Sequence, residues 1–307
     1  MNTELVGRIV EDCCPERQPT AVEPMTAGGR RPTAVVRFAD SPPLVVRLAS
    51  DAAAVRTEAT LLAAVREHTS VPVTTVVASG VHADTPYLVS DHRPGRNLHT
   101  VFTDCDPARQ RAIAGSFGRY LGELHDAFAF DGCGELTADD GRLTAPESDC
   151  RRWLTDYGRT AIERLPSAFD HLRDRLLAVL EDTPSGPPRL FPWDLRPGNA
   201  LATDGTISTV VDWERPMAAP AALAVAKTEY LVADWYVPDP GPLRTAFHEG
   251  YESVRRLPTV APGHRVVAIA DSAVDSDGVV TNPRYPELGH AESVAFHRSA
   301  LAAVVSD

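Results

Sequence analysis

Apolar positions at helical spacing, Leu5, Val6, Ile9 and Val10, open the chain and predict a short packing helix within residues 1–15. Runs rich in β-branched residues follow at 22–25, 34–38 and 44–48 and predict three strands, with Thr26-Ala27-Gly28-Gly29-Arg30-Arg31 as the loop between the first two. Residues 52–67 return to helical spacing through Ala54, Leu61, Leu62 and Val65. Two further strands are predicted at 71–78 and 86–90, and the segment 91–98, with Pro94 and Gly95, reads as an exit loop. Beyond it the pattern is mainly helical. Residues 107–128 carry Ile113, Phe117, Tyr120, Leu121 and Leu124 on one side, and 147–182 form a long helical insert broken at Pro166. Helices are expected at 227–236, 242–256 and 287–305, with a loop-rich stretch at 257–286.

Between these helices lies the stretch with the most chemistry, residues 190–214. A loop holding Asp194 and Asn199 leads into an apolar run at 199–202, a turn at 203–206 and a β-branched run at 207–211, which read as two strands joined by a tight connection. The hairpin returns Asp212 toward Asn199. An amide and a carboxylate brought together in this way suit Mg²⁺, which takes one or two protein oxygens and completes its shell with water and phosphates. A proton-accepting carboxylate such as Asp194 beside a phosphate-bound Mg²⁺ is the apparatus of phosphoryl transfer.

Asp-Leu-Arg-Pro-Gly-Asn at 194–199, followed by Asp-Trp-Glu at 212–214, resembles the catalytic loop and metal-binding turn of the aminoglycoside phosphotransferase and choline kinase family. That resemblance implies an α+β, two-lobe, protein-kinase-like fold, with residues 1–92 as the nucleotide-binding lobe and 93–307 as the catalytic and substrate lobe. It implies ATP and Mg²⁺ as cofactors, a hydroxyl-bearing small molecule as acceptor, Asp194 as base, and Asn199 and Asp212 as Mg²⁺ ligands. Arg196 falls where it could steady the transferred phosphoryl group. Gly28 and Gly29 would lie over the nucleotide phosphates, although a Gly-Gly pair by itself is also an ordinary turn. Arg47 stands where the family usually places a lysine that grips the phosphates, and Glu58 is its expected partner; unpaired, Glu58 is a solvated helix glutamate. The peptide groups from Ser90 to His92 would meet the adenine.

Pro192 and Trp193 replace the histidine and glycine that the family usually has before the aspartate. Trp193 must either cover the acceptor site or pack into the lobe. Glu214 either assists through water or a second metal or pairs with Arg215 or another surface arginine, and Asp234 with Trp235 is either an anionic, aromatic acceptor surface or a packed helix end. His125, with no visible partner group, reads as a core residue. Two rival readings remain open, a pseudokinase that has lost turnover and a hydrolase using Asp194 and Asp212 as an acid/base pair.

Composition narrows the partners. A length of 307 residues allows two lobes, and 43% hydrophobic with 23% charged residues is ordinary for a globular chain. A net charge of −12 opposes nonspecific binding to nucleic acid and tips the acceptor slightly toward a cation. No apolar run is long enough to span a membrane, and the opening Met-Asn-Thr-Glu lacks signal-peptide character, so the expected location is the cytoplasm. Lys227 is the single lysine among 30 basic residues, which reads as a genomic or salt-adapted bias. Five cysteines without paired spacing predict neither a zinc site nor a disulfide framework. The oligomeric state has no signature.

Overall fold

The computed structural model describes residues 2–25 and 31–306. The Asn2 side chain accepts from the Leu5 amide and starts helix α1 (Thr3–Cys13). Strands β1 (Pro19–Pro24), β2 (Thr33–Phe38), β3 (Leu44–Leu48), β4 (Val76–His82) and β5 (Thr85–Asp91) form one antiparallel sheet in the order β1-β2-β3-β5-β4. Helix α2 (Ala52–His68) packs on that sheet, its N-terminus capped by Asp51. The period of two along β3 places Leu44, Val46 and Leu48 in a cluster with Val6, Ile9 and Val10 of α1, and turns Arg47 to the opposite face. The strand expected at 71–78 begins later, at Val76. Pro72 has no amide to give a ladder; its carbonyl accepts from Val210, and Val71 and Val73 join the core of the large lobe.

The rest of the chain is mostly helical, as the α+β expectation requires. After the short β6 (Arg96–Asn97) comes α3 (Pro107–Ala127), then β7 (Gly134–Glu135) and the hairpin of β8 (Thr137–Asp139) and β9 (Arg142–Thr144). Helices α4 (Cys150–Glu163) and α5 (Arg173–Glu181) follow, separated at Pro166 as predicted. Strands β10 (Pro188–Phe191), β11 (Ala200–Thr203), β12 (Thr206–Val210) and β13 (Met217–Pro220) build two small sheets, β10-β13-β7 and β12-β11-β6. Helices α6 (Ala221–Glu229), α7 (Gly241–Glu252), α8 (Pro262–Ala273) and α9 (His290–Val304) complete the lobe.

Three expectations are corrected here. The stretch 257–286, read as loop, contains α8, whose residues from Val266 to Ala270 are all buried among other helices. A helix surrounded on every side shows no apolar stripe, so its periodicity is silent. The helix expected at 227–236 begins at Ala221, after the unpredicted β13, and ends in a wider turn over Tyr230–Asp234. Cys133 and Cys150 form a disulfide, with Cα atoms 5.3 Å apart. Their spacing gives no hint of it, because the pairing arises from backbone bonds between Cys133 and Glu147 that align two distant segments. His125 is a core residue as read: its Nδ1 lies 2.8 Å from the Tyr251 hydroxyl, and burial next to Arg255 and Arg189 brings its pKa down to about 3. Among the described residues no helix is long and apolar enough to cross a membrane.

Helices α3 and α7 touch backbone to backbone. A Cβ at Gly250 would lie 2.0 Å from the Gly115 carbonyl oxygen, so only glycine fits. Gly250→Ala is therefore expected to destabilise the protein by about 1–3 kcal/mol through overpacking. Urea unfolding checks this as a lower midpoint at unchanged slope.

Candidate functional site

Strand β10 delivers the chain to Pro192, and the next residues turn sharply. The Asp194 amide donates to the Pro192 carbonyl at 2.6 Å, with Trp193 between them at φ +56°. Such a positive-φ three-residue turn is rare and costs a bulky residue about 1–2 kcal/mol. One helical turn over Pro197–Asn199 then leads into the β11–β12 hairpin. The Val211 amide closes its open end on the Asn199 carbonyl at 2.8 Å, so Asp212, itself at φ +64°, follows directly beside Asn199.

The side chains converge as the local pattern predicts. Asp194 Oδ2 accepts from Arg196 Nε at 2.9 Å and from Asn199 Nδ2 at 3.0 Å, and the same Nδ2 also donates to the Asp194 carbonyl. Asp194 Oδ1 and Asn199 Oδ1 have no partner among the described residues. Among the described residues Asp212 has no cation in contact: burial, then the nearby Glu214 and Asp194, push its carboxyl above the usual range, with Arg47 and Arg196 offsetting only part. Among the described residues no group of three or more His, Cys, Asp or Glu surrounds a metal position. An amide oxygen and one uncompensated carboxylate nevertheless fit a hard cation that keeps most of its shell as water and phosphate. Arg196 also lies against the Trp235 ring, 5.4 Å from its centroid.

On the sheet side, Arg47 pairs with Glu58 and, at 3.0 Å, with Glu214. Burial raises the Glu58 pKa, and Arg47 opposes that rise. Glu214 takes Arg31 at 3.0 Å as well, while the neighbour Arg215 turns instead to Glu135. Of the two pairings expected for Glu214, the one with another arginine is found and the one with Arg215 is not, Arg215 standing at φ +53°. Ser90 is buried in the sheet between β3 and β4, and the His92 amide donates to the Pro43 carbonyl at 3.1 Å, so the hinge donor is spent inside the lobe. Gly28 and Gly29 lie outside the described residues.

A cleft of about 470 Å³ gathers Trp193, Asp194, Arg196, Asp212, Glu214 and Trp235 along one wall. Asp234 is not with them. It lines a separate cavity and pairs with Arg244, a contact that offsets the rise in its carboxyl pKa due to burial. The wider turn after α6 sends Asp234 and Trp235 to different sides. The far wall holds residues that the sequence reading did not assign: Lys227, Asp271 and Arg164. The solitary lysine was the one available signal for Lys227, and Asp271 was hidden in the unread α8.

Comparison with known proteins shows the same fold. Aminoglycoside phosphotransferase APH(4)-Ia superposes at a TM-score of 0.68 over 100% of this chain and 99% of its own, at 15% identity. A thermostable mutant of that protein, solved as a ternary complex with AMP-PNP and hygromycin B, gives 0.64 over 98% and 97%, at 15% identity. Macrolide 2'-phosphotransferase MphH from Brachybacterium faecium gives 0.62 over 99% and 97%, at 18% identity. No curated protein sequence matches significantly. The family model described as APH, phosphotransferase enzyme family, spans residues 22–265, which takes in the sheet, the turn at Asp194 and the hairpin to Asp212, and by that match the chain belongs to the APH phosphotransferase family.

Proposed function

We propose that the protein transfers the γ-phosphoryl group of ATP to a hydroxyl of a small molecule, with residues 1–92 as nucleotide lobe and 93–307 as catalytic and acceptor lobe. The observation that carries this reading is Asp194, oriented by Arg196 and Asn199, next to the uncompensated Asp212 in an open cleft. Asp194 accepts the acceptor's hydroxyl proton through its free oxygen. Asn199 and Asp212 would hold Mg²⁺, which would supply positive charge to offset that of the nucleotide phosphates. Arg196 meets charge that develops on the transferred group, and Arg47, braced by Glu58, faces the nucleotide phosphates. Trp193 and Trp235 border the acceptor. The complex of the APH(4)-Ia mutant with AMP-PNP and hygromycin B supports a nucleotide and a small acceptor in the same cleft.

One observation favours a second reading, the pseudokinase. Glu214 already occupies both Arg31 and Arg47, so phosphates must displace it to reach those cations. Glu214→Gln separates the readings. It should tighten ATP binding, read by titration calorimetry, by releasing two guanidinium groups; ADP release that accompanies the tighter binding marks a kinase, and tighter binding with no ADP release at all marks the pseudokinase.

A thermal shift with ATP, with and without Mg²⁺, tests the primary reading, since a ligand that binds only the folded state raises the melting temperature. The wild type should respond to ATP only with Mg²⁺, and Asp194→Asn should keep that response while ADP release falls by about 10²–10⁴-fold, the usual worth of a general base. No nucleotide response in the wild type would overturn the proposal.

Asp212→Asn should abolish the Mg²⁺-dependent response. It also carries a pH signature. A carboxyl whose folded pKa is raised contributes stability that is present below its unfolded pKa and is lost as pH rises through the folded value. The metal-free Asn variant should consequently melt higher than the wild type at neutral pH, and the gap should close on acidification through the carboxylate range.

A further inference from the structure

The strained turn in front of Asp194 has a side-chain anchor in a buried network on the far wall of the cleft. Asp271, on α8, is 4% exposed at its side chain and collects donors from four other residues. Tyr157 donates its hydroxyl to Oδ2 at 2.8 Å, the Trp193 indole N–H reaches Oδ2 at 3.0 Å, Arg164 reaches Oδ1 at 3.1 Å, and the Lys227 ammonium pairs with Oδ2. The indole N–H is shared with the Tyr157 hydroxyl at 3.0 Å, and the Lys227 ammonium lies 4.6 Å from the Trp193 ring centroid. Tyr157 comes from α4 and Arg164 caps its C-terminus, Lys227 comes from α6 and Asp271 from α8, and Trp193 belongs to the loop that holds Asp194. The arrangement keeps its charges: burial raises Asp271, but Lys227 first and then Tyr157 and Arg164 bring its pKa below the usual value, while burial and Asp271 hold the Tyr157 proton on.

A buried ion pair is a costly way to fill a core, because desolvation consumes most of its attraction. Here it sits on the side chain of the one loop residue forced to positive φ beside the proposed base. A glycine at position 193 would take that conformation without strain. Tryptophan does so only if its side chain is held, and the hydrogen bonds and the cation contact of the Trp193 indole lie within this network.

We propose that Asp271, with Lys227 and Tyr157, forms a positioning centre: it fixes the Trp193 indole and, through it, the turn that aims the Asp194 carboxylate at the acceptor hydroxyl. This rests on the phosphotransferase reading above. None of the three residues is within hydrogen-bonding contact of Asp194, so their effect passes through Trp193 alone.

The test is a mutant cycle on the full chain. Asp271→Asn and Tyr157→Phe are each made in the wild type and in Trp193→Gly, where the turn needs no anchor. Amide hydrogen exchange over residues 190–199 reads the turn, and basal ADP release, with water as acceptor, gives kcat and the KM for ATP. In the wild-type background Asp271→Asn should speed exchange at 190–199 and lower kcat by about tenfold or more, since a small misplacement of a reacting group is enough for that. The KM for ATP should stay within about twofold, the mark of an effect on the chemical step and not on binding. Tyr157→Phe, which removes a single oxygen, should act in the same direction more weakly and serves if Asp271→Asn does not fold. In the Trp193→Gly background both effects on kcat should shrink to within about twofold, the non-additivity expected of coupled groups. Equal losses in the two backgrounds, or unchanged exchange and kcat in the first, would overturn the proposal. If the wild type neither binds nor turns over ATP, the phosphotransferase reading fails instead, and the exchange arm alone upholds or overturns the anchor.

Discussion

Like charge in a confined space is the constraint around which this cleft is built. Asp194, Asp212 and Glu214 line it together, and the other two carboxylates make ionisation of Asp212 harder. The molecule resolves this unequally. Arg196 balances Asp194, and Arg31 with Arg47 balances Glu214. Asp212, between them, is left with no ion pair among the described residues and a raised pKa. A fold optimised for its own stability would have neutralised that group too. That carboxylate stands beside Asn199, its partner in the proposed Mg²⁺ site.

The opposite wall handles charge in another way, by burying it. Lys227 and Asp271 are 3% and 4% exposed, far drier than the arginine pairs across the cleft. The choice of lysine in a chain otherwise basic only through arginine has a physical reason. An ammonium is compact and can sit between a carboxylate and the face of an indole ring, whereas a guanidinium is longer and planar and would need more room. The sequence bias that made Lys227 look incidental conceals a position where the exchange is not conservative.

What could be read in advance divides along the range of the interactions. The hairpin and its flanking Asp194, Asn199 and Asp212 are local, so spacing and turn chemistry place them together. The pairing of Arg47 with Glu58 was legible only through the family resemblance, since periodicity alone leaves Glu58 on a solvated helix face. Asp234 failed because a wider helical turn, which leaves no trace in periodicity, separates it from Trp235. Asp271 failed for a different reason: α8 is enclosed on all sides, and an enclosed helix carries no stripe to announce itself. The Cys133–Cys150 bond likewise depends on a pairing of two segments that only the folded backbone creates. At Trp193 the residue was visible from the start, but its left-handed backbone and its partners on three helices were not.

The contacts of Glu214 have a mechanical side. Arg31 and Arg47 belong to the sheet-bearing lobe and Glu214 to the helical one, so these two ion pairs span the mouth of the cleft and tie the lobes together. The three side chains are only partly buried, between 16% and 26% exposed, and remain open to screening. Counter-ions therefore act on this latch directly. The contribution of the two ion pairs weakens as salt rises, with a Debye length of about 8 Å in physiological salt.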